Sequence, residues 1–290
     1  VVLIAAVWSA YGLVTFFWRE LGWFLAAPLG AYVICMIGSL QHEAVHGHPT
    51  RSARVNEALV WLPVGLLYPY RRYKAMHLKH HNNDHLTDPD FDPESYYLDP
   101  QAWADTPAPL RAIYTVNNTF AGRMIIGPVM AAVHFLKDEI AAMGAGNREI
   151  ADVWLAHCAG LVLVWLWITQ VCGMAFWQYV LGMAYWGLSL TLMRSFAEHR
   201  AHDRVNCRTI IVEANPVISL MLLNNNLHMA HHAQPNMAWY KLPGYYRANR
   251  ERLLADNCGY LIKGYWRIIA SYGLRPKEPV PHPLPGSLKH

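Results

Sequence analysis

Sixteen histidines stand in this chain of 290 residues, and their spacing says more than their number. His42 and His46 are four residues apart. His77, His80 and His81 are separated by three and four, and so are His228, His231 and His232. His199 precedes His202 by three. On a helix such separations put side chains on one face, close enough to share a metal ion. No Cys lies at ligand spacing in these motifs, so the donor set is imidazole, which suits iron, zinc, copper or nickel. Eight to ten histidines exceed what one ion coordinates, so the pattern calls for two. Zinc sites of four or fewer ligands leave half of these imidazoles unexplained, whereas two five- or six-coordinate irons use most of them. One competing motif is present: His42-Glu43-Ala44-Val45-His46 also reads as H-E-x-x-H, the zinc-protease helix with Glu43 as general base. A protease of that kind has no use for HLKHH or HMAHH.

Metal-bound histidines commonly give their second ring N–H to a carboxylate or carbonyl. Asp84, Asp88 and Asp92, in the acidic loop after His81, are candidates for that role, and Asp-Pro turns are the plainer reading of the same residues. His202 and, from the Asn224–Asn226 run, Asn226 complete the candidate neighbours of the ligands. Arg194 and Glu198 end an apolar run and are placed to pair with each other or with Asp203. Arg71, Arg72, Lys74 and Lys79 form a basic cluster suited to an acidic electron carrier or to headgroups, although topology alone also puts basic residues there.

The elements that must carry these residues are read from hydropathy. Residues 1–18, 21–40, 153–171 and 174–193 are apolar runs of about bilayer-spanning length. The first lacks the basic n-region and cleavage site of a signal peptide. Nearly all Lys and Arg lie in 51–148 and 194–290, which places those segments and both termini on the cytoplasmic side. Every histidine motif falls on that same face, although no histidine entered the charge argument. The expected fold is an all-α integral membrane protein with four transmembrane helices in two hairpins, interfacial helices and a cytoplasmic histidine-rich cap. Stretch 55–70 reads as re-entrant or interfacial, 108–140 as amphipathic helix on the bilayer, and about 245–272 as one basic-aromatic helix. Residues 1–275 form one domain, followed by a Pro-rich tail, 276–290, expected to be extended or disordered. The five cysteines form no CxxC pair and read as core residues or incidental thiols. The net charge of +4 is modest and gives no footprint of nucleic-acid binding.

The boxes HEAVH, HLKHH and HMAHH, in that order and with two hydrophobic hairpins before and between them, resemble the membrane fatty acid desaturase superfamily. Its boxes are written HxxxH or HxxxxH, HxxHH and HxxHH, and the resemblance runs from about Gly22 to Trp239. The family pattern adds a histidine after the fourth span, four residues beyond an Asn that reaches the metal through water. His199 takes that place here, and Ser195 stands where the Asn would be. The resemblance implies two Fe ions held by His42, His46, His77, His80, His81, His199, His228, His231 and His232, with O2 as co-substrate. It also implies two electrons from an external carrier of ferredoxin, rubredoxin or cytochrome b5 type with its reductase. The substrate would be a long-chain lipid or fatty acyl group, and membrane lipids would be the chain's other partners. Relatives include acyl desaturases, hydroxylases of fatty acids, alkanes and carotenoids, and decarboxylases that yield terminal alkenes; all break an unactivated C–H bond. HLKHH matches desaturases and differs from the GHH form of alkane hydroxylases, so desaturation is the leading expectation. Hydroxylation and decarboxylation follow it, and a zinc protease is the alternative of another class.

Overall fold

A computed structural model describes residues 1–81 and 84–284; residues 285–290, the end of the Pro-rich tail, lie outside them. The described chain is mostly helical, with one two-stranded sheet. In order come α1 (Val2–Phe16), α2 (Trp18–Leu21), α3 (Trp23–Val45), α4 (Ala53–Ala58), α5 (Tyr70–His81), α6 (Pro100–Asp105), α7 (Ala108–Asn117), α8 (Phe120–Ile125), α9 (Gly127–Gly144) and α10 (Arg148–Leu166). A π segment, Trp167–Val171, prolongs α10. Then follow α11 (Phe176–Tyr179), a second π segment (Val180–Ala184), α12 (Tyr185–Glu198), β1 (Ile211–Val212), α13 (Pro216–Met221), α14 (His228–Ala233), α15 (Leu242–Asp256), β2 (Leu261–Ile262) and α16 (Tyr265–Tyr272).

Of the four apolar runs, two form helices long and apolar enough to cross a membrane, Trp23–Val45 and Arg148–Val171. The first run gives the shorter apolar helix Val2–Phe16. The last becomes the helical stretch α11–π–α12, which ends in charged residues. The amphipathic stretch expected over 108–140 is three helices, because Thr119 caps a new helix through Gly122 N–H at 3.0 Å. The single helix expected over 245–272 is two. The chain turns at Cys258, Gly259 and Gly264, all at positive φ, and β2 between them pairs in parallel with β1, Ile211 opposite Leu261 and Val212 opposite Ile262. Stretch 55–70 continues α4 into turns.

The chain divides into two compact units, Val1–Ala75 with Pro128–Thr191, and Met76–Gly127 with Leu192–His290. In the first unit, helices approach closely at glycines. A Cβ on Gly30 would stand 2.6 Å from Met183 Sδ, and one on Gly187 would stand 2.6 Å from Ile34 Cγ2, the small-residue contact that apolar helices use to pack. Buried Tyr179 ties three segments together, accepting from Tyr11 O–H at 3.0 Å and donating to the Val64 carbonyl at 2.6 Å. Glu139 is buried, held by Arg72 through two oxygens and by Trp154 Nε1–H at 2.8 Å. Arg71 pairs with Glu57 at 2.6 Å, so two members of the basic cluster are already engaged within this unit.

In the second unit, Ile211, Leu227, Met229, Ala230, Leu242, Tyr246 and Leu253 pack around α14 and α15. The described part of the tail, residues 276–284, runs extended against the rest of this unit. Lys277 N–H donates to Asn118 O, and Leu98 exchanges backbone bonds with Val280 and His282 at 2.9 Å. Val280 and His282 are buried by that pairing. Cys207 and Cys258 form a disulfide, which corrects the reading of all five cysteines as thiols; the positive-φ turn at Cys258 brings the two together.

Candidate metal centre

Three elements of the second unit carry histidines to one place. The C-terminal half of α5 presents His77, His80 and His81. The residue after α12 is His199, held by an antiparallel bridge to Thr209, and α14 presents His228, His231 and His232. Leu223 and Asn224 precede α14 at positive φ, a turn in which Asn is the more tolerant residue; Asn224 fixes it by donating from Nδ2 to Trp239 O at 3.0 Å.

Within this unit the imidazoles sort into two groups. His80, His199, His228 and His232 offer ring nitrogens that all lie within 4.8 Å of one another. Their Nε2 atoms face each other directly: His199 to His80 at 3.2 Å, His228 to His199 at 3.1 Å, and His232 to His228 at 3.1 Å. His77, His81 and His231 form the second group, with His231 Nε2 and His81 Nε2 3.0 Å apart. His42 and His46 belong to the first unit, at the end of α3, buried, with ring centroids 4.8 Å apart.

The far ring nitrogens are held by hydrogen bonds. His80 Nδ1–H donates to Asp92 Oδ1 at 2.8 Å, and His77 Nδ1 meets Glu94 Oε1 at 2.7 Å. The loop that delivers both acids folds on itself: Thr87 N–H donates to Asp92 Oδ2 at 2.8 Å, and Glu94 N–H donates to Asp92 Oδ1 at 2.9 Å. His228 Nδ1 lies 3.0 Å from Asn225 Oδ1 and 3.4 Å from Glu198 Oε1, and Glu198 pairs with Arg194 at 2.7 Å.

These contacts fix where the lone pairs point. With its Nδ1 proton given to Asn225, neutral His228 turns a bare Nε2 toward the Nε2 atoms of His199 and His232. Burial, together with the neighbouring imidazoles, pushes His199, His228 and His232 well below the usual histidine range, so they are neutral. Burial pulls His80 down too, but Glu94 and Asp92 outweigh it and carry His80 up to about 9. Burial would raise the Glu94 carboxyl, yet His77 and His80 hold it well below the ordinary value. Converging, desolvated lone pairs repel unless a cation sits among them. Metal–imidazole bonds of about 2.0–2.1 Å set neighbouring nitrogens about 3 Å apart, the separation seen here. The donor set therefore fits a metal ion, and binding must expel the proton from His80.

Of the five residues expected beside the ligands, Asp92 alone makes the expected contact. Asp84 is exposed. Asp88 is buried but turns its Oδ1 to Asp90 N–H at 2.8 Å, as an Asx turn does. Asn226 spends its Nδ2 on Val212 O at 2.7 Å, and its neighbour Asn225 reaches the ligand instead. His202 accepts from Arg204 N–H at 3.1 Å and groups with Cys207 and Cys258, whose sulfurs are joined. Glu94 and Asn225 were missed as supporting residues. Glu94 follows Asp92 by two in the same acidic loop, and its carboxylate is the signal that points to it. For Asn225 the sequence offers only the Asn run itself. Among the isolated histidines, His157 bonds Leu66 O at 2.9 Å, a structural role.

A family model described as fatty acid desaturase matches residues 4–264. No curated protein matches the chain.

Proposed function

The chain belongs to the fatty acid desaturase family, and from that premise we propose that it is a membrane di-iron oxidoreductase acting on a C–H bond of a long-chain lipid. Acyl desaturation is the leading reaction, with hydroxylation or decarboxylation as the alternatives. His80, His199, His228 and His232 hold one iron. His77, His81 and His231 contribute to the other, and the family resemblance gives His42 and His46 of the first histidine box to the pair of ions. The observation that carries this reading is the set of Nε2 atoms facing one another at 3.1–3.2 Å while Asp92 and Asn225 occupy Nδ1 of His80 and His228.

When bound, the irons supply reduction of O2 and removal of hydrogen from an unactivated carbon, with two electrons from an external carrier. The chain's own residues set the stage for that chemistry. Asp92 and Glu94 keep a proton on Nδ1 of His80 and His77, which leaves each Nε2 free as a ligand and fixes ring orientation. Glu198, beside His228 and paired with Arg194, adds negative charge that favours a bound cation. The apolar helices Trp23–Val45 and Arg148–Val171 support membrane residence, and the proposed topology is four spans with boxes and termini cytoplasmic. A zinc protease built on HEAVH draws no support from the family match.

The test is mass spectrometry of lipids from cells expressing the chain with a redox partner. A gained double bond, a gained oxygen or a one-carbon-shorter alkene is expected, and H228A abolishes it. Lipids unchanged by the wild-type chain with several carriers would overturn the reading.

A further inference from the structure

Next to the histidine cluster lies a buried cation that the metal chemistry does not use. Arg123, on α8, is 3% exposed. Its Nε–H donates to Asn117 O at 3.1 Å, and its guanidinium stacks under the Tyr96 ring at 3.9 Å, with the Phe196 ring 5.7 Å away. Its Nη1 is buried without a hydrogen-bond partner, and no carboxylate among the described residues pairs with it. Asn117 Oδ1 also lacks a partner, but a bond between these two would still leave the charge without an anion. A buried guanidinium that meets the neutral Tyr96 hydroxyl but no anion is costly, and such a charge persists where something neutralises it. The acids around Tyr96 and Lys277 are already taken: Glu94 by His77, Glu198 by Arg194 and Glu278 by the Tyr97 hydroxyl. Nearby Lys277 is committed to the carbonyls of Phe196 and His199.

Tyr96 is the solvent-facing member of this group. It is 44% exposed although the Arg123 beneath it is buried, and its hydroxyl lies 2.9 Å from Ser195 Oγ. Ser195 precedes the ligand His199 by four residues, about 6 Å along a helix, and Tyr96 follows Glu94, which holds His77, by two. A polar, positively charged cluster of side chains therefore adjoins the proposed metal ligands within one unit.

We propose that Arg123, with the Tyr96 and Ser195 hydroxyls, anchors the carboxylate of a free fatty acid, so that the oxidised C–H bonds lie within the first few carbons of the chain. The proposal rests on the lipid-oxidising reading above and narrows its substrate to the free acid. One planar guanidinium matches one carboxylate in shape and charge. A thioester or ester head carries no negative charge at that position and leaves Arg123 unneutralised. A phosphate-bearing head would call for further cations, and Lys277 is engaged elsewhere. Ser195 and Tyr96 supply hydroxyls that an anion can use without changing the charge of the ligand set.

The experiment uses the full iron-loaded chain in detergent and compares equilibrium binding of dodecanoate with that of methyl dodecanoate. Charge-assisted hydrogen bonds in a desolvated site predict about tenfold to hundredfold tighter binding of the acid. R123Q removes most of that preference with its iron content retained, and R123K keeps part of it. Equal binding of acid and ester by the wild-type chain overturns the proposal without any variant, as does an R123Q chain that folds and still prefers the acid. Product analysis then places the change: oxidation at the second or third carbon, or loss of the carboxyl carbon, supports the anchor, and oxidation confined to mid-chain overturns it. Ester oxidised as readily as acid removes the anchor and leaves the oxidoreductase standing. Acid held through Arg123 but never oxidised does the reverse.

Discussion

Replacing Asp92 with Asn changes one charge in a buried setting and keeps the side chain's shape. Asp92 is 4% exposed, accepts from His80 Nδ1–H at 2.8 Å, and is held in place by Thr87 N–H. The bond to His80 is charge-assisted, and such bonds contribute about 1.5–3 kcal/mol. Its loss converts to roughly a tenfold to hundredfold fall in metal affinity, in line with outer-sphere substitutions at other metal sites. A smaller effect opposes it. Asp92 is one of the groups that raise His80 to about 9, so D92N also eases the release of the proton that competes with the metal. The net expectation is about tenfold weaker iron retention. The assay is titration of the iron-loaded protein with a chelator of known affinity, run beside D84N, whose parent carboxylate is exposed and serves as the control. Wild-type retention in D92N, or an equal loss in D84N, would refute the reasoning about the acidic loop.

E94Q should weaken the group of His77, His81 and His231 by a similar factor, read as loss of a fraction of the bound iron in the same titration. N225A should lower iron retention through His228, whereas N226A, which removes a buried bond to Val212 O, should lower melting temperature by an amount equivalent to about 1–3 kcal/mol with iron binding intact. G187L drives a side chain into Ile34, where even a Cβ would stand at 2.6 Å, and overpacking of that kind costs about 1–3 kcal/mol, seen as a lower melting temperature in detergent. Glu213 is depressed because hydrogen bonds from Tyr246 and Arg250 outweigh its desolvation. A depressed carboxylate stabilises the fold above its unfolded value of about 4.3 and loses that contribution as pH falls through the folded value. Wild type should therefore melt above E213Q at pH 7, and the gap should close below about pH 4.

The histidine clusters were legible in the sequence because three- and four-residue spacing on a helix leaves few outcomes for a histidine. HLKHH and HMAHH fall on α5 and α14 as that spacing requires, and family membership agrees with the order of the boxes. What supports the ligands was less legible. Asp84, Asp88, Asp92 and Glu94 share one acidic loop, and which carboxylate reaches a histidine depends on how Thr87, at positive φ, folds that loop back. Asn225 and Asn226 are adjacent and chemically identical; the turn at Leu223 and Asn224 sends one to His228 and the other to Val212. The break between α15 and α16 escaped hydropathy because Tyr260, Leu261 and Ile262 read as helix until their pairing with β1 is known. The Cys207–Cys258 bond escaped for the same reason, since 51 residues separate its partners. Arg123 gave no signal at all: one Arg in an amphipathic stretch reads as surface until its burial is seen.

The central claim is that histidines, and not HEAVH acting alone, hold two irons. It is tested most directly by counting metal in the purified chain after iron-supplemented expression, beside a variant lacking His228 and His232. The expected result is about two irons per chain, falling to about one in the variant. A single tightly held zinc, unaffected by loss of those two histidines, would contradict it.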